Sequence, residues 1–75
     1  MIKVGQIYKL PETEGLVVVI RVDETQSLFG WVYFIFSNGY VERLWKKTVK
    51  ELKLVAEYPT WQEAVNSKEF LEETK

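Results

Sequence analysis

Residues 28 to 45, LFGWVYFIFSNGYVERLW, hold two apolar, aromatic-rich runs joined by Asn38-Gly39, and this pair constrains the chain more than any other feature. Asn-Gly readily places both central turn residues at positive φ, as a type I′ hairpin turn needs. A long antiparallel hairpin is therefore the predicted spine. With Asn38 and Gly39 as the two loop residues, Ser37 and Tyr40 become partners. Counting outward then pairs Phe36 with Val41, Phe34 with Arg43 and Val32 with Trp45 on one face. The other face takes Ile35 with Glu42, Tyr33 with Leu44 and Trp31 with Lys46. The first face is assigned to the core, with Arg43 at its mouth or snorkelling its charge to water.

Three further strands follow from the same reasoning. Residues 4 to 10, VGQIYKL, alternate Val4, Gln6, Tyr8 and Leu10 against Gly5, Ile7 and Lys9, and Pro11, which cannot donate to a ladder, closes the run. Glu12 to Gly15 are expected to form a polar turn. Residues 16 to 22, LVVVIRV, are β-branched and almost wholly apolar, so they read as a strand. Arg21 and Asp23 assign its sides: Leu16, Val18, Ile20 and Val22 toward the core, Val17, Val19, Arg21 and Asp23 away from it. A loop over Glu24 to Ser27 leads into the hairpin. After the hairpin, Lys46 to Lys50 suit a short helical turn, and Leu52, Leu54, Ala56 and Tyr58 alternate in a last short strand ended by Pro59.

These assignments leave Trp31, Tyr33, Ile35, Leu44, Val17 and Val19 as an apolar patch outside the sheet, a surface that soluble monomers rarely leave open. The chain supplies a cover. Thr60 followed by Glu63 has capping-box spacing, and Trp61, Ala64, Val65 and Leu71 recur at roughly helical intervals over 61 to 72. Asn66-Ser67 divides this helix, with Ser67 capping a second piece. The helix is expected to span residues 60 to 73 and to lie on the sheet.

Composition narrows the chemistry. Cysteine and histidine are both absent, which removes disulfides, thiolate metal sites and the usual nucleophile and base pairings of hydrolases. Neither a cofactor nor a metal is expected, and no enzymatic activity. The carboxylate pairs Glu12 with Glu14 and Asp23 with Glu24 fall in turns, where exposed acids are ordinary, and no glycine cluster is spaced to cradle phosphate. A chain of 75 residues buries only about 60% of the surface its unfolded form exposes, so three Trp, four Tyr and four Phe must supply much of the core energy. Ten basic residues face eleven acidic ones, which argues against a general polyanion binder. Locally, residues 41 to 53 carry five basic residues against two glutamates, and residues 57 to 75 carry five glutamates against two lysines. No run reaches the about 18 apolar residues of a membrane span and no signal-peptide pattern opens the chain, so a cytoplasmic location is expected.

VGQIYKL, LVVVIRVDE, WVYFIFSNGYVERL and VKELKLV, taken in order, make five short strands with a brief turn before the last. This layout resembles the SH3-like small barrels of KOW, Tudor and bacterial or phage single-domain proteins over about residues 4 to 58. The resemblance implies one mainly β domain, a five-stranded antiparallel barrel, here with a carboxy-terminal helix packed on it. The acidic loop before a paired tryptophan and the ALYDY-like opening of eukaryotic SH3 domains are missing, so polyproline recognition does not carry over. The function expected is a protein-interaction module using Trp31, Tyr33, Tyr40 or Arg43 as anchors. The alternative is a nucleic-acid-binding barrel in which Trp31, Tyr33 and Tyr40 stack on bases while Arg43, Lys46, Lys47 and Lys50 neutralise phosphates.

Overall fold

The computed structural model describes residues 1–11, 15–24 and 28–72. Five strands, β1 (Gln6–Lys9), β2 (Leu16–Val22), β3 (Trp31–Phe36), β4 (Val41–Trp45) and β5 (Lys53–Glu57), form one antiparallel sheet in the order β4-β3-β2-β1-β5. Every strand expected from alternation is present. β4 and β5 are its edges, and among the described residues no pairing between them closes the sheet into the expected barrel. The turn expected at Glu12 to Gly15, the loop at Glu24 to Ser27 and the helix end at 73 lie partly outside the described residues, as do Glu12 and Glu14.

The hairpin turn differs from the expected type I′. Gly39 has φ +87°, while among the described residues none other than glycine has positive φ, so Asn38 does not occupy the second left-handed position. The Phe36 N–H donates to the Tyr40 carbonyl (2.8 Å) and the Gly39 N–H to the Phe36 carbonyl (3.0 Å). Ser37, Asn38 and Gly39 thus form a three-residue loop with a glycine bulge, and the Asn38 side-chain oxygen accepts from the Tyr40 N–H (2.9 Å). One added loop residue slides the register by one: Trp31 opposes Trp45, Val32 opposes Leu44, Tyr33 opposes Arg43, Phe34 opposes Glu42 and Ile35 opposes Val41. Each β4 side chain therefore changes face. Leu44, expected outside, packs against the core, whereas Val41 and Trp45, expected inside, are 47% and 43% exposed. Either register turns one charged residue of β4 inward. The observed one turns in Glu42 at the sheet edge and releases Arg43 to lie over Trp31.

The assignment of β2 is corrected too. Val17 and Val19 pack with Tyr8, Val32, Phe34 and Val49 in one core, while Leu16 and Val18 join Ile7, Ala64 and Phe70 in a second core on the other side of the sheet. β2 is central and its upper half is buried on both faces, so an apolar run carries no sign of which face is which. A register shift between Val19 and Arg21 then inverts the alternation: Arg21 opposes Tyr33, and Val22 returns to the first core opposite Val32.

Among the described residues three short helices accompany the sheet: α1 (Lys46–Val49), α2 (Trp61–Val65) and α3 (Lys68–Glu72). α1 inserts Val49 into the first core. α2 starts where the Thr60 side chain accepts from the Glu63 N–H (3.1 Å). At the expected break, the Ser67 hydroxyl donates to the Ala64 carbonyl (2.6 Å) and accepts from the Phe70 N–H (3.3 Å). The break resets the helical phase, so Phe70 is buried and Leu71, placed on the apolar side by simple periodicity, is 49% exposed. The carboxy-terminal helices do lie on the sheet, but over a different apolar set from the expected one: Trp61, Ala64, Val65 and Phe70 lie against Ile7, Leu16, Val18 and Ile35, while Val17, Val19 and Leu44 of the expected patch belong to the first core.

A hydrogen bond ties α3 to the strand end. The Tyr58 hydroxyl donates toward both Glu69 carboxylate oxygens, at 2.8 and 2.6 Å. This bond holds the Glu69 carboxyl below its ordinary range and pushes the Tyr58 hydroxyl up. A depressed glutamate contributes stability above its unfolded pKa of about 4.3 that is lost as pH falls through the lower folded value. A raised tyrosine contributes below about 10 and loses it as pH rises through the higher folded value. Tyr58→Phe removes both contributions. The stability gap between wild type and variant, from urea midpoints, is expected to be flat between about pH 6 and 9 and to narrow below about pH 4. A gap independent of pH would show that the bond does not couple to folding.

Candidate functional site

The corrected register sorts the outer side of β2, β3 and β4 into three cross-strand rows. Val18, Ile35 and Val41 form one, Arg21, Tyr33 and Arg43 the next, and Trp31 with Trp45 the last, extended by Asp23, whose N–H donates to the Trp31 carbonyl (2.9 Å). The first row runs under the helices, because Val18 and Ile35 belong to the second core. The other two rows stay open.

The open rows are rich in arginine and aromatic groups. The Arg43 guanidinium carbon lies 4.1 Å from the Trp31 ring centroid, and that of Arg21 lies 5.6 Å from the Tyr33 ring. A guanidinium placed over an aromatic ring contributes about 0.5–1 kcal/mol at exposed sites. Trp45 leans on Trp31 with centroids 5.9 Å apart and meets Phe29 edge to face at 5.1 Å. Phe29 itself is 57% exposed. The strand bases are fastened below this cluster by the Lys46 N–H to the Gly30 carbonyl and the Lys47 N–H to the Leu28 carbonyl, both 2.9 Å. A depression beside Arg21, Tyr33 and Asp23 continues the face toward β2.

Of the seven residues singled out in the sequence, Trp31, Tyr33 and Arg43 share this face. Tyr40 does not: it sits at the hairpin tip against Phe36 (5.7 Å), and its hydroxyl donates to the Glu42 carboxylate (3.1 Å), which pushes that hydroxyl up. Lys46 and Lys50 line a depression with Ile2, Val22 and Leu28, on the side of the first core, and Lys47 is exposed on α1. The basic segment and the aromatic rows therefore do not make one groove. Trp45, Arg21 and Phe29 belong to the face but not to the expected set. A two-residue loop puts Trp45 in the core, and only the register shift in β2 brings Arg21 opposite Tyr33.

Among the described residues no group of three His, Cys, Asp or Glu is placed to hold a metal ion, and no helix is long and apolar enough to cross a membrane. No protein-family model matches the chain, and neither a curated protein nor a solved structure is significantly similar to it.

Proposed function

We propose that the chain is a non-catalytic, SH3-like interaction module that binds protein segments through the outer face of β3 and β4. The strand order and the helical turn before β5 support the SH3-like assignment. The observation that carries the binding reading is the uncovered cluster of Phe29, Trp31, Trp45 and Arg43, which the helices leave open while covering the neighbouring row. Tryptophan and arginine dominate the energetics of protein interfaces, and rings already packed on one another lose little freedom on binding. Two observations weigh against the nucleic-acid reading: one face of Trp31 is taken by Arg43, and Lys46 and Lys50 lie on the other side of the sheet.

The test is a displayed random heptapeptide library selected against the full chain. It is paired with amide-shift titrations using single-stranded and duplex oligonucleotides at about 50 and 200 mM salt. Enriched peptides are expected to bind Trp45→Ala at least about tenfold more weakly than wild type, a loss of about 1.4 kcal/mol. The oligonucleotides are expected to give no saturable shifts. Saturable, salt-sensitive oligonucleotide binding on residues 31 to 50, with no peptide binding that depends on Trp45, would reverse the reading.

A further inference from the structure

We propose that the occupant of this face is an extended, acidic segment of a partner protein that adds to the sheet as a strand beside β4, with a carboxylate held by Arg43. The inference rests on the interaction reading above and names its partner's chemistry. In an antiparallel ladder, backbone groups of successive residues point alternately toward and away from the neighbouring strand. Phe36 bonds Tyr40 and the Lys46 N–H bonds Gly30, so residues 40, 42, 44 and 46 turn their backbone groups toward β3. Val41 and Arg43 turn theirs outward, at an edge of the sheet. The same two residues place their side chains on the outer face, Arg43 in the row of Tyr33 and Val41 at the exposed end of the neighbouring row. A strand docked there meets backbone donors and acceptors together with Trp45, Val41 and Arg43, the combination that strand-addition sites use for affinity and selectivity.

Charge complementarity sets the partner's sign. The Arg43 guanidinium lies over the Trp31 ring, and among the described residues no carboxylate or hydrogen-bond acceptor engages it. The planar guanidinium fork suits a carboxylate in two-point contact. Glu42 completes the arrangement. Its side chain points to the opposite side of the sheet from Arg43, yet its Oε1 accepts from the outward Arg43 N–H at 3.2 Å. It thereby occupies the backbone position that a docked strand would take, on an exposed edge where unpaired groups invite uncontrolled pairing. The partner's carbonyl replaces the Glu42 carboxylate there, and the partner's acid engages the guanidinium.

The probes are a capped Val-Glu-Val-Glu-Val peptide, its Val-Lys-Val-Lys-Val counterpart, and two copies of the acidic peptide N-methylated at alternate residues in the two possible phases. Each is titrated into the full chain and followed by amide shifts and tryptophan fluorescence. The acidic peptide is expected to shift residues 41 to 45 saturably and the lysine peptide not to. Arg43→Gln is expected to weaken binding at least about tenfold and Arg43→Lys, which keeps charge but not the fork, at least about threefold. One N-methylated phase is expected to abolish binding. Glu42→Ala is expected to tighten it. Four results overturn the proposal: no saturable shift at 41 to 45 up to about 1 mM peptide; binding indifferent to both N-methylation phases; an oligonucleotide occupying the same residues; or peptide-free, concentration-dependent dimerisation through residues 41 to 45, which would make a second copy the occupant. Indifference to N-methylation alongside Trp45-dependent library peptides would leave the interaction reading standing and remove only the strand-addition geometry.

Discussion

Phe34→Ala is expected to lower the folding free energy by about 3–5 kcal/mol, the usual cost of deleting a fully buried phenylalanine. Phe34 is 1% exposed, sits on β3 opposite Val19 and Glu42, and meets Tyr8 edge to face with centroids 6.4 Å apart. Its ring touches the core that β1, β2, β3 and α1 share, so no single element can shift to fill the space. At about 0.05–0.15 kcal/mol per residue, the whole fold is worth only about 4–11 kcal/mol. The variant therefore approaches the limit of folding. A fall of at least about 12 °C in Tm is expected, at about 4–8 °C per kcal/mol for a domain of this size. Phe36→Ala, truncating a ring of the same chemistry that is only partly buried against that core, serves as the comparison and is expected to cost less. Urea denaturation followed by tryptophan fluorescence measures both. Equal losses, or a loss below about 1 kcal/mol for Phe34, would mean that the core is not organised around this ring.

Element positions were legible because each has a local chemical cause. LVVVIRV has too many β-branched residues to favour a helix, Thr60 and Glu63 mark a helix start, and Ser67 marks a second one. Parity was not legible. Gly39 serves either a two-residue loop, in which Asn38 is also left-handed, or a three-residue loop, in which glycine alone is; the two differ by one residue of register and by every side-chain face on β4. The shift at Ile20 has no glycine or proline to announce it, and it exchanges the faces of Arg21 and Val22 relative to the first half of β2. These two slips govern the candidate site. Arg43 and Trp31 were identifiable by type, since exposed arginine and tryptophan are what interfaces use, yet their stacking depends on Arg43 lying opposite Tyr33 rather than Phe34. The same slip moves Trp45 from the core to the open face. Chemistry was readable from composition, and placement required the turn.

Gly5→Ala is expected to destabilise the protein by more than about 3 kcal/mol, from two sources that a second glycine separates. Gly5 has φ +96°, a conformation that costs an L-residue about 1–3 kcal/mol. A Cβ there would also overlap the Tyr58 carbonyl oxygen and approach the Thr60 carbonyl oxygen at 3.2 Å, and both obstacles are backbone, which has no rotamer to swing aside. The surrounding bonds prevent Gly5 from retreating: its N–H donates to the Val19 carbonyl (2.9 Å) and its carbonyl accepts from the Tyr58 N–H (3.0 Å). It thus joins β2 to the segment that leads into the Thr60 cap, and displacement would be transmitted to α2 and the second core. Gly39 has nearly the same dihedral, φ +87°, with nothing within 4 Å of an added Cβ. Gly39→Ala therefore carries the conformational cost alone, about 1–2 kcal/mol. The difference between the two variants, read from urea midpoints, isolates the overlap at Tyr58. A Gly5→Ala variant no less stable than Gly39→Ala would mean that the amino-terminal segment can move away from Tyr58 at no cost, and that the junction between the sheet and its helices is looser than its hydrogen bonds imply.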